Sequence, residues 1–249
     1  MLDAFLWGLL ATSSLVLGGL IGSFVSIGRR TLGLTMAFGA GVLISAVSYE
    51  LVFEAVNLGK GTGGPAMGLA LGALTFFFAD RVISNLGAAD RTAIDKPSQS
   101  SLIIPMVLGI MLDGIPESMV IGLGILESGS VSIAMLVAVF ISNLPEAVAG
   151  TTGMRAGGWS NGKIFGLWVA IAVICALATV AGFALFDGVS LFWLAFVQAF
   201  AAGAILTMLA NSMMPEAFKH GGKLAGLFTV LGFAVSVLVV IMERAQHAA

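Results

Sequence analysis

Charge is what this chain is shortest of. Lys, Arg, Asp and Glu together make up 10% of its 249 residues, where a soluble globular domain carries about 25%. A water-facing surface of ordinary composition is therefore excluded. There is one cysteine, so no disulfide can form within the chain. Cys175 falls midway along an apolar stretch and reads as a small core residue. His-Glu-x-x-His is absent, which removes the helix-borne zinc site of metal-dependent hydrolases. The net charge of −2, with no basic cluster and no aromatic platform, gives nucleic acid nothing to bind.

Long hydrophobic runs fill the space that charge vacates. Hydrophobic residues are 59% of the chain, and eight apolar stretches can be counted: 3–27, 33–57, 65–85, 101–127, 130–157, 161–186, 190–217 and 221–243. Each approaches or exceeds the roughly 20 residues a helix needs to cross about 30 Å of hydrocarbon. They predict an all-α membrane protein of eight transmembrane helices forming one transmembrane domain over 1–249. The first stretch has no basic leader, carries Asp3 and is too long for a signal sequence, so it counts as a helix. Segment 86–100, with Asp90, Asp95, Pro97 and several Ser, reads as a polar cytoplasmic linker.

Basic residues orient the chain. With the N-terminus outside, the inner loops hold Arg29, Arg30, Arg81, Arg91, Lys96, Arg155, Lys163, Lys219 and Lys223, nine of the eleven. Lys60 and Arg244 are left outside. The excess predicts both termini on the outer side of a plasma or inner membrane.

An internal repeat organises the helices. Ala37-Phe-Gly-Ala-Gly41 returns as Ala199-Phe-Ala-Ala-Gly203, and the same offset of 162 carries Glu54-Ala55 onto Glu216-Ala217. The second and seventh helices run in opposite directions, so the copies are inverted. The expected plan is 3+2+3, with helices four and five at the centre, the arrangement of secondary transporters.

The central helices carry the unusual chemistry. Asp113-Gly-Ile-Pro-Glu117 and Ser142-Asn-Leu-Pro-Glu146 lie 29 residues apart, both inside apolar runs. A carboxylate at mid-bilayer costs roughly 2.5–3.5 kcal/mol or more. Asp113 and Glu117 share one helix face, as do Asn143 and Glu146. Pro116 and Pro145 remove backbone donors and free the carbonyls of Leu112 and Ile141. The outcome is an oxygen cluster with Ser142 beside it, and Gly114 and Gly150 are expected to keep the helices close. No Lys or Arg within these two runs offsets the charge, so a cation is the economical partner. Without one, at least one carboxyl should hold a proton, and metal binding should release it. Glu50 with Glu54, and Glu216 with His220, sit at helical spacing near opposite ends of the pathway and are candidate relay sites. Asn211 is a further pathway candidate. Glu127, Asp187 and Glu243 read as solvated helix ends.

These residues resemble the ZIP family of zinc and iron permeases over most of the chain. The fourth-helix motif is similar to the family's His-Asn-x-Pro-Glu-Gly. The fifth-helix motif is related, and Met214-Pro-Glu-Ala-Phe-Lys-His-Gly-Gly222, Ala225-Gly226 and Leu231-Gly-Phe233 look like the family's last two helices. The resemblance implies a divalent-metal transporter, not an enzyme, with the metal as substrate and zinc preferred. It also implies metal ligands at Asp113, Glu117, Asn143 and Glu146. A homodimer is compatible with this reading.

The departures are specific. Asp113 replaces the family's His and Gly114 its Asn. The fifth helix retains only Glu146 outright, and 164–186 lack the acid the family's two-metal centre takes from its sixth helix. One site is therefore better supported than two. Oxygen donors suit Mn and other hard ions more than imidazole does, so Mn²⁺, Fe²⁺ or Cd²⁺ should compete well with Zn²⁺. Two alternatives stay open: a transporter-like sensor or structural subunit with a degraded site, and a proton-coupled transporter of another solute.

Overall fold

The structure, a computed structural model, describes residues 1–85 and 103–247, except the side chains of 103–105, 246 and 247. The polar linker expected at 86–100 lies outside the described residues. Eight helices are long and apolar enough to cross a membrane, and no strand occurs among the described residues. They are α1 Leu2–Phe24, α2 Arg29–Leu58, α3 Gly64–Ile83, α4 Ile103–Ser128, α5 Ile133–Ala156, α6 Asn161–Leu185, α7 Leu191–Gly221 and α8 Leu224–His247. The chain is an integral, multi-pass membrane protein. Its apolar exterior fits that setting: Leu227, Val230, Leu238 and Ile241 of α8, and Leu74, Phe78 and Val82 of α3, are all exposed. In water so continuous an apolar surface would be an aggregation hazard; in a bilayer it meets lipid tails.

The span ends fall within about four residues of those predicted, and one of the shifts bears on a candidate residue. The hydropathy pattern predicts an end at 217 for the seventh span, but α7 continues to Gly221, so His220 lies within its last turn. The stop comes at Gly222, whose φ of 60° and ψ of −150° are open to glycine. Pro116 and Pro145 do not interrupt α4 and α5, which run on as α-helix through both. The interruptions fall in α2 and α7, each of which widens into a π-turn, Val47–Val52 and Leu209–Met213. Local chemistry accounts for both. The Ser48 hydroxyl donates to the Ile44 carbonyl at 2.7 Å, competing with the backbone ladder. Pro215 supplies no N–H just after the second π-turn.

The repeat is visible in three dimensions. The two π-turns start 162 residues apart, at Val47 and Leu209, the same offset as the sequence repeat. The helices pair in parallel: α1 with α5, α4 with α6, α3 with α7 and α2 with α8. Exchanging 1, 2, 3 and 4 for 6, 7, 8 and 5 maps this pairing onto itself. Glycines set the close approaches. A Cβ on Gly41 would stand 1.9 Å from the Thr229 carbonyl oxygen of α8, and one on Gly72 would stand 1.9 Å from the Phe200 oxygen of α7. Bare backbone lets helices come together where the bilayer gives no hydrophobic drive for association. Helices α3 and α8, equivalent under the exchange, are the least buried and form the flanks.

Counting spans places the start of α1 and the ends of α2, α4, α6 and α8 at one face, called upper below. The lower face carries Arg29, Arg30, Arg81, Arg155, Lys163, Lys219 and Lys223 among the described residues.

Candidate functional site

Glu117 is the central residue of its membrane span, Met106–Ser128, and is 2% exposed. Asp113 lies one turn below it and is also buried. On α5, Ser142 and Asn143 are buried and Glu146 is half-buried, again near the middle of the span. The structure brings these together: Glu117 lies within electrostatic reach of Glu146 and Asp113, and Asn143 sits against it. No basic group figures among the charges acting on Glu117. Its Oε2 and the Asn143 Nδ2 are both buried without a hydrogen-bond partner. Groups this deep are nearly always satisfied, so the pair constitutes a defined polar demand at mid-membrane.

The cluster is gathered but not closed. Among the described residues, no three His, Cys, Asp or Glu side chains converge into a metal cage. Packing explains this. Helix α4 lies chiefly against α6, and α5 against α1, while α4 and α5 meet only lightly. Gly114 and Gly150, expected to draw α4 and α5 together, serve α6 instead. A Cβ on Gly114 would lie 3.0 Å from Cys175 Sγ, and one on Gly150 would lie 3.2 Å from Trp168, with Ile110 of α4 farther at 3.6 Å. Trp168 is anchored there by its Nε1, which donates to Thr151 Oγ1 at 2.8 Å. Ser142 donates its hydroxyl to the Val139 carbonyl at 3.1 Å, and Gly39 of α2 lets that helix rest on its backbone.

Cys175 is more than core. It packs in the cluster around Trp168, and its thiol lies against Gly114 and Ser118 of α4, within electrostatic reach of Glu117. The sixth helix therefore presents sulfur beside Glu117, although it has no acid to offer. The sequence signal was its mid-span position, the same depth as Glu117.

A cavity of about 520 Å³ opens on the upper face between α2, α4, α5, α7 and α8. Its apolar walls include Leu51, Val120, Ile121 and Met135, all buried. Val120 and Ile121 follow Glu117 by three and four residues, so this apolar floor lies about one helical turn, roughly 5 Å, above Glu117. Glu50 and Leu51 enter the cavity from the π-turn of α2, a device that often marks functional positions.

The relay candidates separate. Glu50 and Glu54 both line the cavity. Arg244 donates to Glu54 at 3.5 Å and to the Tyr49 carbonyl at 3.2 Å, and stacks over Phe53 at 5.1 Å. Glu216 and His220 form a 2.9 Å hydrogen-bonded pair at the opposite end. Asn211 lies exposed in the π-turn of α7. Two acids read as solvated ends are engaged instead. Glu127 accepts a short hydrogen bond from Gln198 Nε2. Glu243 accepts from the backbone N–H groups of Ile133 at 2.8 Å and Ala134 at 3.0 Å, which caps α5.

No family model matches the chain. It is 27% identical over 230 residues to an Arabidopsis thaliana protein whose name proposes zinc transport; that stretch is 90% of this chain and 36% of the relative, so the chain spans about a third of that protein's length. It is 25% identical to the human protein named zinc transporter ZIP11, over 93% of each chain.

Proposed function

We propose that this chain carries divalent metal cations across the membrane, toward its base-rich face, by way of Asp113, Glu117, Asn143 and Glu146. The observation that carries the reading is Glu117. It is a carboxylate at mid-span, buried, flanked by two further carboxylates, and with one oxygen unpartnered. A divalent ion would supply the missing charge and the missing ligand together. Both named relatives are called zinc transporters, which supports a metal as the solute. The oxygen-rich set, with Cys175 at its edge, favours breadth over zinc selectivity. The cage is completed only if α4 and α5 close on the ion, and their light contact leaves room for that movement.

A second reading, a sensor or structural subunit that binds without transporting, draws on the same open geometry. Metal flux into proteoliposomes separates the two. Transport by the native chain that both Asp113→Ala and Glu117→Ala abolish supports the first. Absence of flux from the native chain, with metal still bound, supports the second.

A further inference from the structure

The upper cavity holds groups that the central site does not use. Glu50, Glu54, Glu127 and Glu243 line it against a single guanidinium, that of Arg244. Their fields overlap: Glu243 and Glu54 act on Glu50, and Glu54 acts on Glu127. Arg244 is committed to the rim through Glu54, Tyr49 and Phe53, and Glu243 caps α5. Gln198 is 1% exposed and lines the same cavity, with its Nε2 given to Glu127. Its Oε1 and the Glu127 Oε1 are both buried with no hydrogen-bond partner. Two neighbouring acceptors without a donor, in a cavity of like charges, call for a cation or for water bound to one.

We propose that this cavity is a capture site for a hydrated divalent cation, held by Glu50, Glu127 and Gln198 above the apolar floor of Leu51, Val120 and Ile121. Volume decides that the ion keeps its water. Six waters occupy roughly 180 Å³ at about 30 Å³ each, well inside the 520 Å³ available. No three acids converge closely enough among the described residues to replace that shell. A site that binds through water and hard oxygens does not discriminate among Mn²⁺, Mg²⁺ and Ca²⁺, so selection is left to the cluster below. The inference rests on the transport reading only for its purpose, since the binding can be measured without flux.

The experiment uses the full chain in detergent with Glu117→Gln, which disables the central cluster, and follows Mn²⁺ binding by electron paramagnetic resonance. One class of Mn²⁺ site remains, with the spectrum of a largely hydrated ion. Adding Glu127→Gln weakens it about tenfold, the order expected when one unit charge near a divalent ion is removed. Adding Gln198→Glu instead tightens it, because it sets a second carboxylate beside Glu127 in the wall of the same cavity. Mn²⁺ affinity unchanged by Glu127→Gln, or weakened by Gln198→Glu, overturns the proposal. Native protein that shows this binding but no flux leaves the capture site standing and removes the transport reading.

Discussion

Replacing Glu117 by Gln should stabilise the metal-free protein and reduce its response to metal to whatever the upper cavity alone supplies. The side chain is 2% exposed, and its Oε2 has no partner. A buried unsatisfied polar atom costs about 1–3 kcal/mol, more when charged. Two carboxylates some 5 Å apart repel by about 3 kcal/mol at an effective dielectric of 20, an upper bound if one holds a proton. Gln keeps the shape, removes the charge and can donate toward Asp113 or Glu146. A gain of about 1–3 kcal/mol follows, or several degrees in midpoint, at about 2–4 °C per kcal/mol for a chain of this size. Metal reverses the order. At a hundred times its dissociation constant a ligand adds about 2.7 kcal/mol to the native chain, and less to Glu117→Gln, which keeps only the binding of the upper cavity. Thermal unfolding in detergent, followed by tryptophan fluorescence with chelator and then with excess Zn²⁺ or Mn²⁺, reads both effects. A Glu117→Gln protein that melts below the native chain in chelator, or that gains as much from metal, would refute the reasoning.

Two further substitutions probe the packing and the donor set. Gly41→Ala places a methyl group 1.9 Å from the Thr229 carbonyl oxygen. The resulting separation of α2 from α8 should cost about 1–3 kcal/mol or more, beyond the roughly 1 kcal/mol that Ala gains as a helix former. Gly166→Ala, with nothing within 4 Å, should instead match or slightly exceed native stability in the same melt. Cys175→Ser should lower uptake of Cd²⁺ relative to Mn²⁺ several-fold, because a soft thiolate or thiol donor beside Glu117 favours the softer ion. An unchanged ratio in a competition flux assay would confine Cys175 to packing.

The eight spans were legible because hydropathy and length suffice to identify them. The inverted repeat was legible because one offset linked two separate motifs. What escaped was lateral. Glu127 and Glu243 looked solvated because both close helices, but their partners, Gln198 and the start of α5, come from 71 and 109–110 residues away. Cys175 reads as inert for the same reason: Gly114 and Ser118 come to it from another helix. Proline is the visible helix breaker in the sequence, and it points to α4 and α5. The π-turn of α2 contains no proline and arises at Val47–Val52. Gly114 and Gly150 marked close approaches correctly but not the helix approached, since glycine advertises space without naming its neighbour.

The repeat also shows how one backbone plan yields unequal ends. Glu54 and Glu216 occupy matching places just beyond their π-turns, one near each face. Each meets a basic side chain, but the surroundings differ. Arg244 and Glu54 are 46% and 43% exposed at 3.5 Å, whereas His220 and Glu216 are 6% and 16% exposed at 2.9 Å. A loose, water-screened pair contributes little and yields readily to a competing cation. A short, shielded one is harder to part, because separating it strands polar groups. His220 is further wedged against α2, where a Cβ on Gly33 would stand 2.7 Å from its own Cβ. The cavity lies on the side of the looser pair, with the Leu51, Val120 and Ile121 floor between it and Glu117. On the proposed transport reading, passage to the lower face requires two separate events: displacement of that floor, and parting of Glu216 from His220. In an inverted repeat, an exchange of conformation between the halves would loosen the lower pair as it tightens the upper. Access from the two faces would thereby become mutually exclusive without any gate beyond the two π-turn helices.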